Sequence, residues 1–156
     1  MPPTTNPARV LLLCDPGSTQ EQITTALKNQ PEFTLVDILD TIDNIVREVN
    51  RLSPNIIIID SLLGGQPTLD VMDELAAQFP EVALISILTS ADPSEAQQVM
   101  LAGARAFIIQ PFTQINLLST LRRVHNLETR RAQVRTAVCG GHPDTLTIGL
   151  SLITSA

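Results

Sequence analysis

The chain lacks the residues on which many nucleic-acid-binding proteins depend. It has no Trp and no Tyr, and its only aromatic residues are four Phe, so few rings are available for base stacking. Charged residues make up 17% of the chain and the formal net charge is −6, whereas proteins that neutralise phosphates need clustered Lys and Arg. We therefore expect no nucleic-acid partner.

Cysteines and long apolar runs are also scarce. Cys14 and Cys139 lie far apart without Cys-x-x-Cys spacing, which argues against a disulfide framework and fits a reducing compartment. No run of 18 or more apolar residues occurs, so no membrane span is expected. The Pro- and Thr-rich N-terminus has no basic stretch followed by an apolar one. These absences together predict a cytoplasmic protein.

The chain does contain a regular alternation of short apolar runs and helical stripes. With 156 residues and a hydrophobic content of 44%, it can bury a core as one domain. Alternation of strands and helices predicts an α/β fold in which a five-stranded parallel sheet carries helices on both faces. The predicted strands are Val10–Cys14, Phe33–Leu39, Ile56–Ile59, Val82–Leu88 and Ala106–Ile109.

Local signals indicate where several helices begin and end. Ser18 followed by Glu21 has capping-box spacing, and Asp40 can cap the second helix. The run Asp92-Pro93-Ser94-Glu95 predicts a helix start, and Gly103 predicts that helix's end. The last helix carries an Arg-rich stretch, Arg122–Arg135, which we expect to leave the domain body.

Polar residues directly follow four of the five predicted strands. Asp15, Asp60, Thr89 and Gln110 stand at strand ends, and ligands of parallel sheets bind beyond the carboxyl ends of the strands. Two carboxylates there can hold a hard cation such as Mg²⁺. A carboxylate beside a cation can attack a phosphoryl group and become an acyl phosphate.

Four motifs give the chain a specific resemblance to a known family. From about Arg9 to about Arg131 it resembles the CheY-like response-regulator receiver superfamily. The resemblance implies a flavodoxin-like, doubly wound sheet of order 2-1-3-4-5. The residues that carry it are VLLLCD at 10–15, IIIID at 56–60, ILTSAD at 87–92 and AGARAFIIQPF at 102–112.

The resemblance also implies roles for individual residues. Asp60 would be the phosphoacceptor of a phosphorelay, and Asp15 and Asp60 would hold Mg²⁺. Phe107 would be the switch aromatic, and the Gln110–Pro111 bond would be the cis peptide that the family uses.

The switch hydroxyl is less well defined. Thr89 occupies the matching position, but the stretch before the next helix is one residue shorter than usual. Ser86 and Ser90 therefore stay open as alternatives to Thr89.

The chain departs from the family pattern at two positions in the site. Cys14 stands where one of two adjacent acids is usual, and Gln110 replaces the family lysine, which removes a cation that would pair with the phosphoryl group. The sequence thus leaves two functions open. One is a phosphorylatable receiver that serves a histidine kinase. The other is a non-phosphorylated interaction or dimerisation module that forms a homodimer through the fourth helix, fifth strand and fifth helix.

The remaining segments define the expected domain organisation. Residues 1–8 are predicted as a flexible segment, 9–133 as the receiver-like domain and 134–156 as an extension. The extension is interpreted either as a β-hairpin, with a strand at 136–139 and a second apolar segment at 146–154, or, through CGGHPDTLT at 139–147, as a degenerate P-loop. On the second interpretation, the chain resembles the tight-adherence pilus-assembly proteins of the TadZ and CpaE type. The resemblance implies pilus and secretion machinery as partners.

The sequence gives little support for a catalytic function. No Ser-His-Asp set, nucleotide fingerprint or metal cluster emerges, so we expect a protein that is not an enzyme. A phosphatase with an Asp nucleophile is a further alternative, but it requires Asp-x-Asp after the first strand. Asp15-Pro16-Gly17 does not meet that pattern.

Overall fold

The computed structural model describes the backbone of residues 7–139 and the side chains of residues 7–127. Its strands are β1 Ala8–Leu13, β2 Phe33–Leu39, β3 Ile56–Asp60, β4 Leu62–Leu63, β5 Gln66–Pro67, β6 Ala83–Leu88 and β7 Ala106–Ile109. Five of them form a parallel sheet in the order β2-β1-β3-β6-β7. Counted within that sheet alone, the order is 2-1-3-4-5, so the predicted flavodoxin-like fold is confirmed.

Helices connect the strands of this sheet. They are α1 Ser18–Lys28, α2 Ile45–Leu52, α3 Leu69–Gln78, α4 Pro93–Leu101 and α5 Gln114–Cys139. Within the described part of the chain, none of these helices has the length and apolar content needed to cross a bilayer.

The sheet separates two hydrophobic clusters, because successive side chains of a strand point to opposite faces. In β3, Ile56 and Ile58 pack with α1 and α5, whereas Ile57 and Ile59 pack with α2, α3 and α4. All four isoleucines are at most 1% exposed, and each buried side chain contributes about 1.5–3 kcal/mol. Both faces of this strand are therefore covered, as expected of a central parallel strand.

Of the predicted helix starts, one is confirmed and two are wrong. The Asp92 carboxylate accepts a hydrogen bond from the Ser94 N–H (2.9 Å), with Pro93 at the first position of α4. The residue preceding α1 is Gly17, without a side-chain cap, because Ser18 is already helical. Asp40 does not cap α2, which begins five residues later after Asn44.

A short hairpin directly after β3 was not predicted as such. Strands β4 and β5 pair antiparallel, with Leu62 opposite Pro67 and Leu63 opposite Gln66. Gly64 and Gly65, with φ of +59° and +78°, form the turn between them, and two positive φ values in a row favour glycine. This hairpin extends from the end of the strand that carries Asp60.

The compact unit that contains the sheet ends at Val124, and α5 continues to Cys139. Strand β1 begins at Ala8, which pairs with Phe33, one residue before the predicted domain start. The strand expected at 136–139 is wrong, because these residues continue the helix α5. The rest of the extension lies outside the described part of the chain, as do residues 1–6.

Candidate functional site

Asp60 ends β3 and is half-buried at the carboxyl edge of the sheet. Its Oδ2 atom lies 3.7 Å from the Sγ atom of Cys14, and its Oδ1 atom lies 3.4 Å from the backbone nitrogen of Leu62. Strand β1 brings Cys14 here because β1 and β3 are in register up to Leu13 and Ile59. The neighbours of the carboxylate are thus a thiol and a backbone N–H.

This environment shifts the pKa values of both groups. Burial raises the pKa of Asp60; the nearby Asp15 adds to the increase, and hydrogen bonds from Leu62, Cys14 and Ser61 oppose it. Burial, followed by the charge of Asp60, raises the pKa of the Cys14 thiol to about 12. Cys14 is therefore a neutral donor at physiological pH and does not supply the negative charge of the family's acid.

Asp15 faces the same edge but has a different partner. Its carboxylate oxygens accept hydrogen bonds from the Gly64 N–H at 2.9 and 3.1 Å. Asp15 follows β1 and Gly64 lies at the tip of the hairpin after β3. The carboxylate therefore connects the loop after β1 to that hairpin.

The donor set fits a magnesium ion poorly. Asp15 and Asp60 offer carboxylate oxygens, but Cys14 offers a protonated thiol where a hard cation prefers a third oxygen. In the described part of the chain, no group of three or more His, Cys, Asp or Glu side chains is arranged to hold a metal. Magnesium binding by Asp15 and Asp60 stays a prediction.

Gln110 follows β7, and its side-chain amide is hydrogen-bonded to α1. Its Nε2 atom donates to Oγ1 of Thr19 in α1 at 2.9 Å. A second amide, that of Gln20, donates to the Cys14 carbonyl at 3.2 Å. The peptide bond between Gln110 and Pro111 is cis, as the resemblance implies. The amide at this position thus joins β7 to α1 and gives Asp60 no cationic partner.

The three candidate hydroxyls lie in different environments. Thr89 is exposed in the loop after β6, and Ser90 donates to Oε2 of Glu95 at 3.1 Å. Ser86 is fully buried within β6, paired with Ile59 on one side and Phe107 on the other. Its Oγ atom has no hydrogen-bond partner among the described residues. Thr89 and Ser90 both lie beyond the carboxyl end of β6, whereas Ser86 lies within the strand.

Phe107 is half-buried in β7 and packs against the cluster that contains α2, α3 and α4. Its register partner in β6 is Ser86, and neighbouring residues of adjacent strands share a face of the sheet. The predicted switch aromatic therefore lies beside the buried Ser86.

Thr68 is a site residue that the sequence reasoning missed. Its Oγ1 atom donates to the carbonyl oxygen of Asp60 at 2.6 Å, and its N–H donates to the Ser61 carbonyl at 3.1 Å. Thr68 is 2% exposed and directly precedes α3. A Thr just before an apolar helical stripe is a typical cap signal, but here the side chain fixes the backbone of Asp60 instead.

Comparison with known proteins gives the class that the fold and the strand-end site indicate. The family model described as response regulator receiver domain matches residues 10–122. The chain belongs to this family and is a receiver domain of two-component signalling.

A curated relative is similar to the chain at low sequence identity. The probable C4-dicarboxylate response regulator DctR of Halalkalibacterium halodurans is 23% identical over 119 residues, which cover 76% of this chain and 52% of that protein. The chain thus spans about half the length of this curated relative.

Solved structures of other proteins have the same fold as this chain. NtrX from Brucella abortus has a TM-score of 0.74 at 22% identity, covering 82% of this chain and 29% of that one. The isolated REC domain of RcsB from Salmonella enterica serovar Typhimurium, determined in the presence of phosphomimetic BeF₃⁻, has a TM-score of 0.70 at 14% identity. That match covers 78% of this chain and 90% of the other.

Proposed function

We propose that this chain is an atypical receiver domain, which acts in the cytoplasm through protein contacts and does not depend on phosphorylation of Asp60. The observation that carries the proposal is the set of groups around this carboxylate. A neutral thiol and backbone N–H groups contact it, and the amide that replaces the family lysine is bonded to Thr19.

An acyl phosphate at Asp60 would meet poor compensation for its charge. A phosphorylated site needs cations or strong donors around the phosphoryl oxygens. Cys14 offers one weak donor, and Gln110 is neutral. Asp15 would add repulsion unless a cation intervened. These features support a site with little capacity for phosphotransfer.

A matched pair of proteins tests this proposal. Wild type and the double variant Cys14→Asp with Gln110→Lys, which restores the family's acid and cation, are each titrated with magnesium and beryllofluoride. Amide NMR follows the backbone signals, and acetyl phosphate with mass spectrometry measures covalent phosphorylation. We expect flat spectra and no added mass for wild type, whereas the repaired variant responds.

The opposite outcome would restore the phosphorelay function. Wild-type shifts that spread from Asp60 towards Thr89 and Phe107, and that vanish in Asp60→Ala, would identify Asp60 as a working phosphoacceptor. The observation that favours this second function is the presence of two carboxylates, Asp15 and Asp60, beyond adjacent strand ends. A histidine kinase would then be the partner.

The narrower assignment to pilus assembly rests on residues 139–147 alone. The family match ends at residue 122, so this assignment stays a prediction. Recovery of pilus or secretion proteins with the full chain, and loss of that recovery when residues 134–156 are deleted, would support it.

A further inference from the structure

A groove of about 310 Å³ lies between the hairpin after Asp60 and α4. Its apolar lining comes from Leu62 and Pro67 of the hairpin, Leu69 of α3 and Val99 of α4. Leu62 is 45% exposed, although covering apolar surface is worth about 25 cal/mol per Å². The groove thus presents apolar surface that an additional side chain could cover.

The segments that line the groove carry charge of one sign. Between Arg51 and Arg105 the sequence has no Lys, Arg or His. Glu95 lines the groove, and exposed acids stand on α3 and at the start of α4. A surface whose charges share one sign attracts oppositely charged partners and speeds their encounter. The acidic residues of this stretch are Asp60, Asp70, Asp73, Glu74, Glu81, Asp92 and Glu95.

We propose that this groove binds a cationic segment of a partner protein. A large apolar side chain of the segment fills the space between Leu62 and Val99, and its Lys or Arg residues face the acids of α3 and α4. Charge complementarity selects this occupant. An uncharged segment would desolvate Glu95, which accepts a hydrogen bond from the neutral Ser90 hydroxyl, without neutralising its charge. The inference rests on the proposed function, since an interaction module needs a surface for its partner.

Two backbone contacts connect the groove to the site. The N–H of Leu62 donates to Asp60, and that of Gly64 donates to Asp15. A segment bound against Leu62 therefore contacts the same hairpin that these carboxylates hold. The amide signals of Leu62 and Gly64 are sensitive reporters of occupancy.

Peptide display on the full chain supplies a defined probe. Random peptides of about 16 residues, or roughly four helical turns, are selected, and one enriched peptide is synthesised for titration by calorimetry and amide NMR. We expect enriched peptides with net positive charge and a large apolar residue. Their shifts should centre on Leu62, Glu95 and Val99, and binding should weaken when ionic strength rises from about 0.05 to about 0.3 M.

Four variants decide whether the groove is the binding surface. Leu62→Ser and Glu95→Lys should each weaken peptide binding roughly tenfold, as expected of central interface residues. The controls are Ile115→Ser, at a side chain 77% exposed on α5, and Glu21→Lys, on α1. Both controls should bind as wild type does, and circular dichroism confirms that each variant is folded.

Several outcomes overturn the inference. They are enriched peptides without positive charge, shifts centred away from the hairpin, equal losses in test and control variants, or a groove filled by a second copy at high concentration. Failure of the proposed function is distinguishable, because it appears as a wild-type response to beryllofluoride and leaves peptide binding unchanged.

Discussion

The Sγ atom of Cys14 lies 3.7 Å from Oδ2 of Asp60, so that a neutral donor occupies the place where the family has an acid. The thiol is 1% exposed and the carboxylate is half-buried. Burial disfavours the ionised form of the Asp60 carboxylate, and the weak donors around it compensate only in part. Ionised Asp60 therefore destabilises the fold at neutral pH.

Replacing Asp60 with Asn should therefore stabilise the protein at neutral pH. The pKa of Asp60 is raised in the folded state, so its contribution to stability is present below the unfolded pKa and is lost as pH rises through the folded pKa. Asn avoids this loss and keeps an acceptor for Leu62 and Cys14. We expect a gain on the order of 1 kcal/mol at about pH 7, measured by urea unfolding.

The pH dependence distinguishes this cause from a general effect of removing charge. The gain should shrink as pH falls through about 4, where the unfolded carboxyl group begins to be protonated, and disappear below about pH 3. The exposed Asp43→Asn is the control and should change stability by less than about 0.5 kcal/mol. An Asp60→Asn variant less stable than wild type at neutral pH would contradict the argument.

Cys14 should be unreactive towards thiol reagents in the native protein. Its pKa of about 12 lowers the thiolate fraction about a thousandfold from that of an ordinary cysteine, and burial blocks access. Labelling by iodoacetamide in a Cys139→Ser background measures the rate with and without urea. Rapid labelling of native Cys14, at a rate that Asp60→Asn does not change, would contradict the buried environment assigned to this thiol.

The sequence predicted the sheet better than the site contacts, for physical reasons. Strands such as Ile56–Asp60 are recognisable in the sequence by an unbroken apolar run, because both of their faces are buried. By contrast, the Gly64–Asp15 and Gln110–Thr19 hydrogen bonds join residues far apart in sequence. Their partners depend on loop geometry that no periodicity encodes.

The helix caps illustrate the same distinction on a local scale. The helix start at Asp92-Pro93 is predictable because cap, proline and acid reinforce one another within four residues. Ser18 was misassigned because Gly17 moves the helix start back by one residue. Thr68 has the composition of a cap, yet its hydroxyl bonds to the Asp60 carbonyl, a role visible only once β3 and α3 are placed.

Removing the carboxylate of Asp15 should loosen the hairpin. In Asp15→Ala the Gly64 N–H loses both acceptor contacts, and a hydrogen bond to a charged group contributes about 1.5–3 kcal/mol. Amide exchange at Gly64 should therefore accelerate roughly tenfold or more, while exchange in the central strand at Ile58 follows only the global stability. Unchanged exchange at Gly64 would show that Asp15 does not hold the hairpin.

Gly103 should tolerate no side chain, for two separable reasons. Its φ is +114°, and a Cβ atom there would lie 2.4 Å from the Cβ atom of Ala76 in α3. Strain and overpacking together predict a loss of about 2–4 kcal/mol for Gly103→Ala. In Gly65→Ala, where φ is +78° and no atom lies within 4 Å, only the backbone strain of about 1–2 kcal/mol applies. Ala76→Gly alone should cost about 1 kcal/mol as a glycine inside a helix. Measured against that single variant, Gly103→Ala added to it should cost only the backbone strain, as chemical denaturation of the five proteins can show. Equal losses at Gly103 and Gly65 would mean that α3 moves aside without cost.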